Sequence, residues 1–197
     1  MNYLAHAYLS FNNPETVVGN LISDFVKGKK KFDFSIGIQK GIQLHRAIDD
    51  FTDNHPATKE AKEIFRPQYR LYAGAFVDVV YDHYLATDTN EFSPESLLNF
   101  SLKVYEQLTP FLPTLPENFQ QIFPYMRQHN WLNNYQYNWA IERSMKGLVR
   151  RATYISEADT AFFLFESNYQ HLKDCYQHFF PALKSFATQQ WMAEQNL

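Results

Sequence analysis

The sequence predicts an all-α protein, and three observations carry that reading. Apolar residues recur at helical spacing through most of the chain. Asn-Pro and Ser-Pro pairs stand where helices should begin. No segment of useful length alternates as a half-buried strand does. With no repeat, low-complexity tract or long linker, residues 1–197 read as a single compact multi-helix domain.

Helices are expected near 2–11 and 14–28, the second opened by Asn13 as cap and Pro14 in the first turn. The third, 35–53, places Ile38, Ile42 and Ile48 on its core-facing arc, with His45 and Asp49 inside that arc. Gly37, Gly41, His45, Asp49 and Asp53 step along it in fours. Glycine lowers helix propensity, so the two glycines mark the close approach of another element. Asn54-His55-Pro56 ends this helix, and others follow near 56–65 and 68–87. Ser93-Pro94 opens 94–109, and Thr109-Pro110 with Pro113–Pro116 interrupts the pattern before 116–129. The remaining helices are 134–154, 158–175 and 178–194, with Ser156 and Asp159 resembling a capping box at the start of 158–175.

The net charge of −3 gives no reason to expect nucleic acid. A lone cysteine, Cys175, excludes an intramolecular disulfide and a cysteine-rich zinc site. The opening MNYLAHAYLSF lacks a basic leader, and no apolar run approaches the roughly 20 residues of a membrane span. The expectation is a cytoplasmic protein with no membrane partner.

Two carboxylates are out of place. The segment 71–86, LYAGAFVDVVYDHYLA, is apolar nearly all round and holds no Lys or Arg, yet Asp78 and Asp82 share one face of it. Buried charge needs an opposite charge, a proton or a metal ion. His45 and Asp49 repeat the anomaly on the third helix, and Asp24, one turn after Asn20, supplies a third carboxylate-bearing segment. This mix of oxygen and nitrogen donors suits Mn, Mg, Fe or Zn. Asp24, His45 and Asp78 are the first candidates as metal ligands, with Asp82 and Asp49 next. His6 and His83 are outer candidates; His129, His171 and His178 sit among polar positions and are assigned no role. A buried network paired to Arg46, Arg70 or tyrosines is the competing explanation.

Cations are concentrated rather than spread. Lys27, Lys29, Lys30 and Lys31 form KGKKK just after Asp24. In 134–154, Ile141, Met145, Leu148, Ala152 and Ile155 form an apolar seam. Arg143, Lys146 and Arg150 lie opposite it, with Arg151 flanking. Such stripes serve either as solvated faces or as anion-binding surfaces.

Five ordered blocks, MNYLAHAYLS, GNLISDFVKG, GIQLHRAIDDFTDNHP, YAGAFVDVVYDHYLA and WLNNYQYNWAIERSMKGLVRRA, resemble the acyl-carrier-protein phosphodiesterase (acyl-carrier-protein hydrolase) family. That family is similar to HD-type phosphohydrolases, which are all-helical and use divalent metal. The resemblance implies hydrolysis of the phosphodiester that joins 4′-phosphopantetheine to a serine of holo acyl carrier protein. It also implies a divalent ion, Mn first, with Mg or Fe as alternatives. One departure stands out: HD enzymes place His before Asp on one helix, whereas here the adjacent pair is Asp82-His83, and Arg46 follows His45. Ligands are therefore assigned from helical faces and not from the HD motif.

On this reading Asp24, His45, Asp49, Asp78 and Asp82 form the catalytic set. An unligated carboxylate, Asp49 or Asp82, orients or deprotonates water. Arg46 holds the phosphate, and the lysine run with Arg143, Lys146 and Arg150 steers an acidic carrier protein. Two alternatives are a phosphohydrolase acting on a nucleotide or other small phosphoester, and a non-enzymatic helical binding module.

Overall fold

The computed structural model describes residues 1–195. Eleven α-helices are present among them, with no strand. They are α1 (Tyr3–Tyr8), α2 (Pro14–Ile22), α3 (Ile36–Asn54), α4 (Pro56–Tyr69), α5 (Ala73–Thr87), α6 (Pro94–Leu108), α7 (Glu117–Gln128), α8 (Trp131–Asn134), α9 (Asn138–Arg151), α10 (Asp159–Ser167) and α11 (Tyr169–Gln195). The all-α expectation holds.

The proline signals mark real starts. Asn13 caps α2 by accepting from the Thr16 amide, and Ser93 and Ser96 form a reciprocal capping box on α6. His55 does the same for α4 through the Ala57 amide. α10 differs from the expected Ser156 box: Glu157, not Ser156, accepts the Thr160 amide. α1 is shorter than expected because Phe11 and Asn12 adopt left-handed backbone, with φ of 52° and 57°. α2 stops at Ile22, and a 3-10 turn, Ser23–Phe25, carries Asp24. The lysine run lies in a second 3-10 segment, Gly28–Asp33. The expected break before residue 178 is absent. The chain breaks at Asn168 instead, and α11 runs through Pro181. Pro181 and Gln177, whose carbonyl it leaves without a helical donor, are both exposed, so water can satisfy that carbonyl.

α5 lies at the centre of the packing. Phe76, Val77, Val79, Val80, Tyr81, Tyr84 and Leu85 are all buried, and α1, α4, α9 and α11 pack around the helix. Leu71 is the exception to its expected apolar face: it sits in a 3-10 turn before α5, fully exposed. α11 spans α3, α4 and α5 through an aromatic layer in which Phe179 lies against Tyr81 and Phe51.

α2 lies along α3 at very short range. A Cβ on Gly19 would meet the Ile38 carbonyl oxygen at 2.1 Å, and one on Gly41 the Thr16 carbonyl oxygen at 2.6 Å. The close approach expected from Gly41 is therefore real, and Gly19 is its other half. Gly37 leaves room for the Glu15 side chain. This contact brings Asn20 of α2 against His45 of α3. No helix among the described residues is long and apolar enough to cross a membrane.

Candidate active site

α1, α3 and the turn after α2 bring two histidines and two aspartates together. His45 and Asp49 are one turn apart on α3, with His45 Nε2 3.0 Å from Asp49 Oδ2. Asp24 Oδ1 approaches the same Nε2 at 3.3 Å from the other side. His6, from α1, stacks on His45 with ring centroids 3.9 Å apart, and its Nε2 lies 3.2 Å from Asp49 Oδ1. His6, His45 and Asp49 thus offer three ligand atoms within 4.8 Å of one another.

The electrostatics split the two imidazoles. Burial and the neighbouring His45 charge lower the His6 pKa to about 4, so its ring is neutral. Burial also works against charge on His45, but Asp24 and Asp49 outweigh it and raise that pKa to about 9. Burial disfavours charge on Asp49 as well, yet its bond to His45 holds its carboxyl well below the usual range. Asp24 is lowered too, chiefly by its bond to His45. His6 Nε2 is buried and has no hydrogen-bond partner.

His6, His45 and Asp24 of this cluster line one wall of a cavity of about 630 Å³. Arg143, Arg150 and Arg151 of α9 line it from another element, and Leu21, Phe25, Ile122, Trp131 and Trp139 add apolar surface. Tyr3 lines it as well; burial and Asp24 raise its phenol to about 12, so it keeps its proton.

The family model described as acyl carrier protein phosphodiesterase matches residues 1–183. The chain belongs to the acyl carrier protein phosphodiesterase family. Curated relatives of that name agree in length. Those of Yersinia enterocolitica serotype O:8 and Klebsiella pneumoniae strain 342 are each 34% identical over 188 residues, which is 95% of this chain and 97% of the relative. The one from Photorhabdus laumondii is 32% identical over 182 residues, 92% of each chain. No solved structure matches, so kinship with HD-type phosphohydrolases has no structural neighbour to rest on.

In this family member the remaining candidates take other places. Asp78 and Asp82 find partners in the chain's first residues. The Met1 ammonium donates to Asp78 Oδ1 at 2.8 Å, and burial still raises the Asp78 carboxyl. Asp82 accepts the amides of Asn2, Leu4 and Ala5 and so caps α1. Asp78 borders the cavity, whereas Asp82 is fully buried and both of its oxygens accept from backbone amides. His83 belongs to the core: its Nδ1 meets the Tyr135 carbonyl at 2.8 Å and its Nε2 the Tyr169 hydroxyl at 2.9 Å. Arg46 is exposed and donates to the Val26 carbonyl at 3.1 Å, so it braces a turn and does not reach into the cavity. Lys146 is paired with Glu142 and Asp159 on the outer face. Lys27, Lys29 and Lys30 are exposed and Lys31 half-buried, just beyond the cavity-lining Asp24 and Phe25.

His6, an outer candidate by sequence, lies at the centre of the cluster. It sits on a six-residue helix whose register carries little periodic signal, and only the third dimension places it beside His45. His129, given no role in the sequence reading, also borders the cavity. The one available signal for Asn20 was its position on the most apolar stretch of α2, between Gly19 and Leu21.

Proposed function

We propose that the protein is a divalent-metal-dependent phosphodiesterase that releases 4′-phosphopantetheine from holo acyl carrier protein, leaving apo carrier protein. The observation that carries this is the facing of His6 Nε2 and Asp49 Oδ1. His6 Nδ1 bonds the Asn20 side-chain oxygen, so Nε2 carries the lone pair, and two acceptors stand 3.2 Å apart, a repulsion that a proton or a cation between them relieves. His6, His45 and Asp49 would hold the ion, with Asp24 at the solvent side. Imidazole and carboxylate donors suit Mn or Fe. When bound, such an ion supplies Lewis acidity, drawing charge off the phosphate and making water a better nucleophile.

The other groups follow from the cavity. Arg143, Arg150 and Arg151 grip the phosphate by forked hydrogen bonds. Asp24, with 79% of its side chain exposed and its carboxyl ionised, orients the attacking water. The Tyr3 phenol donates a hydrogen bond toward the departing serine oxygen. The apolar wall of Phe25, Trp131 and Trp139 receives the pantetheine arm. Lys27, Lys29, Lys30 and Lys31 form an outer rim that meets the acidic carrier.

These roles separate experimentally. Lys29→Glu and Lys30→Glu should each raise KM for holo carrier protein roughly fivefold, the worth of about 1 kcal/mol, and leave hydrolysis of a small phosphodiester unchanged. Arg143→Glu should impair both substrates. Wild-type kinetics in all three variants would place the docking and phosphate surfaces elsewhere.

Metal binding should also release a proton. The folded, metal-free protein favours the His45 imidazolium. That stabilisation is complete below the ordinary value of 6.5 and is lost as pH rises through about 9. An ion needs the neutral ring, so Mn²⁺ binding at pH 7 should release about one proton, and the affinity should weaken about tenfold per unit as pH falls. Calorimetry in buffers of different ionisation enthalpy reads the number directly; zero release contradicts the ligand set. The titration belongs in a Cys175→Ser background, because Glu60, His171 and Cys175 form a second group of potential ligands between α4 and α11.

A further inference from the structure

One residue touches both imidazoles of the cluster through different atoms. The Asn20 main-chain carbonyl accepts from His45 Nδ1 at 2.6 Å. The Asn20 side-chain oxygen meets His6 Nδ1 at 2.7 Å. Asn20 Nδ2 donates to the His6 carbonyl at 2.9 Å and to Ser10 Oγ at 3.0 Å, and Ser10 Oγ in turn donates to the His6 carbonyl at 2.7 Å. Asn20 and Ser10 are fully buried and His6 is 3% exposed, so water offers no substitute partner.

This network has one consistent proton arrangement. The His6 carbonyl can only accept, so the Asn20 NH2 must face it, and the amide cannot be flipped. Asn20 Oδ1 therefore faces His6 Nδ1, which must carry the hydrogen. A neutral imidazole protonated at Nδ1 has its lone pair on Nε2. That lone pair points at Asp49, where an Nε2–H would otherwise have formed an ordinary hydrogen bond. The fold has chosen the tautomer that leaves Nε2 without a partner.

We infer that the Asn20 side chain is a positioning residue that locks His6 in the Nδ1–H tautomer and so presents Nε2 as a ligand atom to the His45–Asp49 cluster. The tautomer part stands on hydrogen bonds alone; the ligand part rests on the metal-dependent reading above. Groups that orient a ligating histidine typically contribute 10–100-fold to metal affinity. Ser10 belongs to the same device, because it helps fix the amide that fixes the ring.

The test uses nitrogen NMR of the imidazoles in the metal-free, full-length protein, followed by Mn²⁺ calorimetry. In the wild type, His6 should show a protonated Nδ1 and an unprotonated Nε2. In Asn20→Ala, His6 should shift toward the Nε2–H form, which can donate to Asp49. His45 should keep its Nδ1–H, because the main chain of the same residue holds it. Mn²⁺ affinity should fall about 10–100-fold in Asn20→Ala. An Nε2–H tautomer in the wild type, or an unchanged His6 in Asn20→Ala, overturns the inference; the first of these needs no folded variant. Unchanged Mn²⁺ affinity in a variant whose tautomer has shifted overturns the ligand part. Absence of Mn²⁺ binding by the wild type overturns the metal reading itself, while the tautomer still decides the role of Asn20.

Discussion

Asp49→Asn should remove nearly all turnover of holo carrier protein while leaving the helical fold intact. Asp49 is the carboxylate that contacts both histidines of the cluster, through different oxygens, at 3.0 and 3.2 Å. Replacing one oxygen by an NH2 group places a donor where the geometry requires an acceptor for a cation. The charge that such an ion brings to a phosphodiester transition state is worth several kcal/mol. At 1.36 kcal/mol per tenfold, the expected loss in kcat is on the order of a thousandfold. Asp49 is 42% exposed, so its charge is not needed to hold the core together, and circular dichroism should be unchanged. His45→Ala should behave similarly. His83→Gln is the contrast: that side chain is tied to Tyr135 and Tyr169 inside the core, so the variant should lose stability and keep its kcat. Near-wild-type turnover in Asp49→Asn, with the fold preserved, would remove the cluster from the chemistry.

The contrast between Asp49 and Asp82 shows what the chain reveals before it folds. His45 and Asp49 were legible because both lie at i, i+4 on a helix whose apolar arc is clear, and a face is a local property. Asp82 was equally anomalous by sequence, but its partners are the amides of Asn2, Leu4 and Ala5. Backbone amides have no signature in a sequence, and these lie about eighty positions away. The same holds for Asp78 and the Met1 ammonium. These carboxylates do have compensating partners, and all of them lie within the first five residues. The arginines of α9 show the converse. Their helical face was correctly separated from the seam of Ile141 and Met145, but that face borders a cavity walled by other helices. Periodicity tells which residues avoid the core and not what stands opposite them.

Gly19→Ala should have the largest effect on folding of any single methyl added to this chain. In an exposed helix interior, Gly→Ala gains about 1 kcal/mol from propensity. Here the new Cβ would lie 2.1 Å from the Ile38 carbonyl oxygen and 2.8 Å from the Gly41 Cα and the Ile42 nitrogen. All three are backbone atoms of α3, and none can rotate away as a side chain would. Relief requires α2 and α3 to separate along their whole contact, which strains a close-packed interior. The expected cost exceeds about 3 kcal/mol, a large share of the roughly 5–15 kcal/mol that holds a domain together. Gly41→Ala should follow it, since its Cβ would meet the Thr16 carbonyl oxygen at 2.6 Å. Gly74→Ala is the control: its Cβ would approach only the flexible end of Lys62, at 3.3 Å, and its stability should change little. Urea unfolding of the three variants checks the order. The consequence reaches the site as well, because the contact between α2 and α3 also seats the Asn20 carbonyl on His45 at 2.6 Å. If Gly19→Ala melts like wild type, the two helices have slack that the geometry denies. If it unfolds early and loses turnover with it, the two glycines hold the imidazole cluster in place as much as they hold the core.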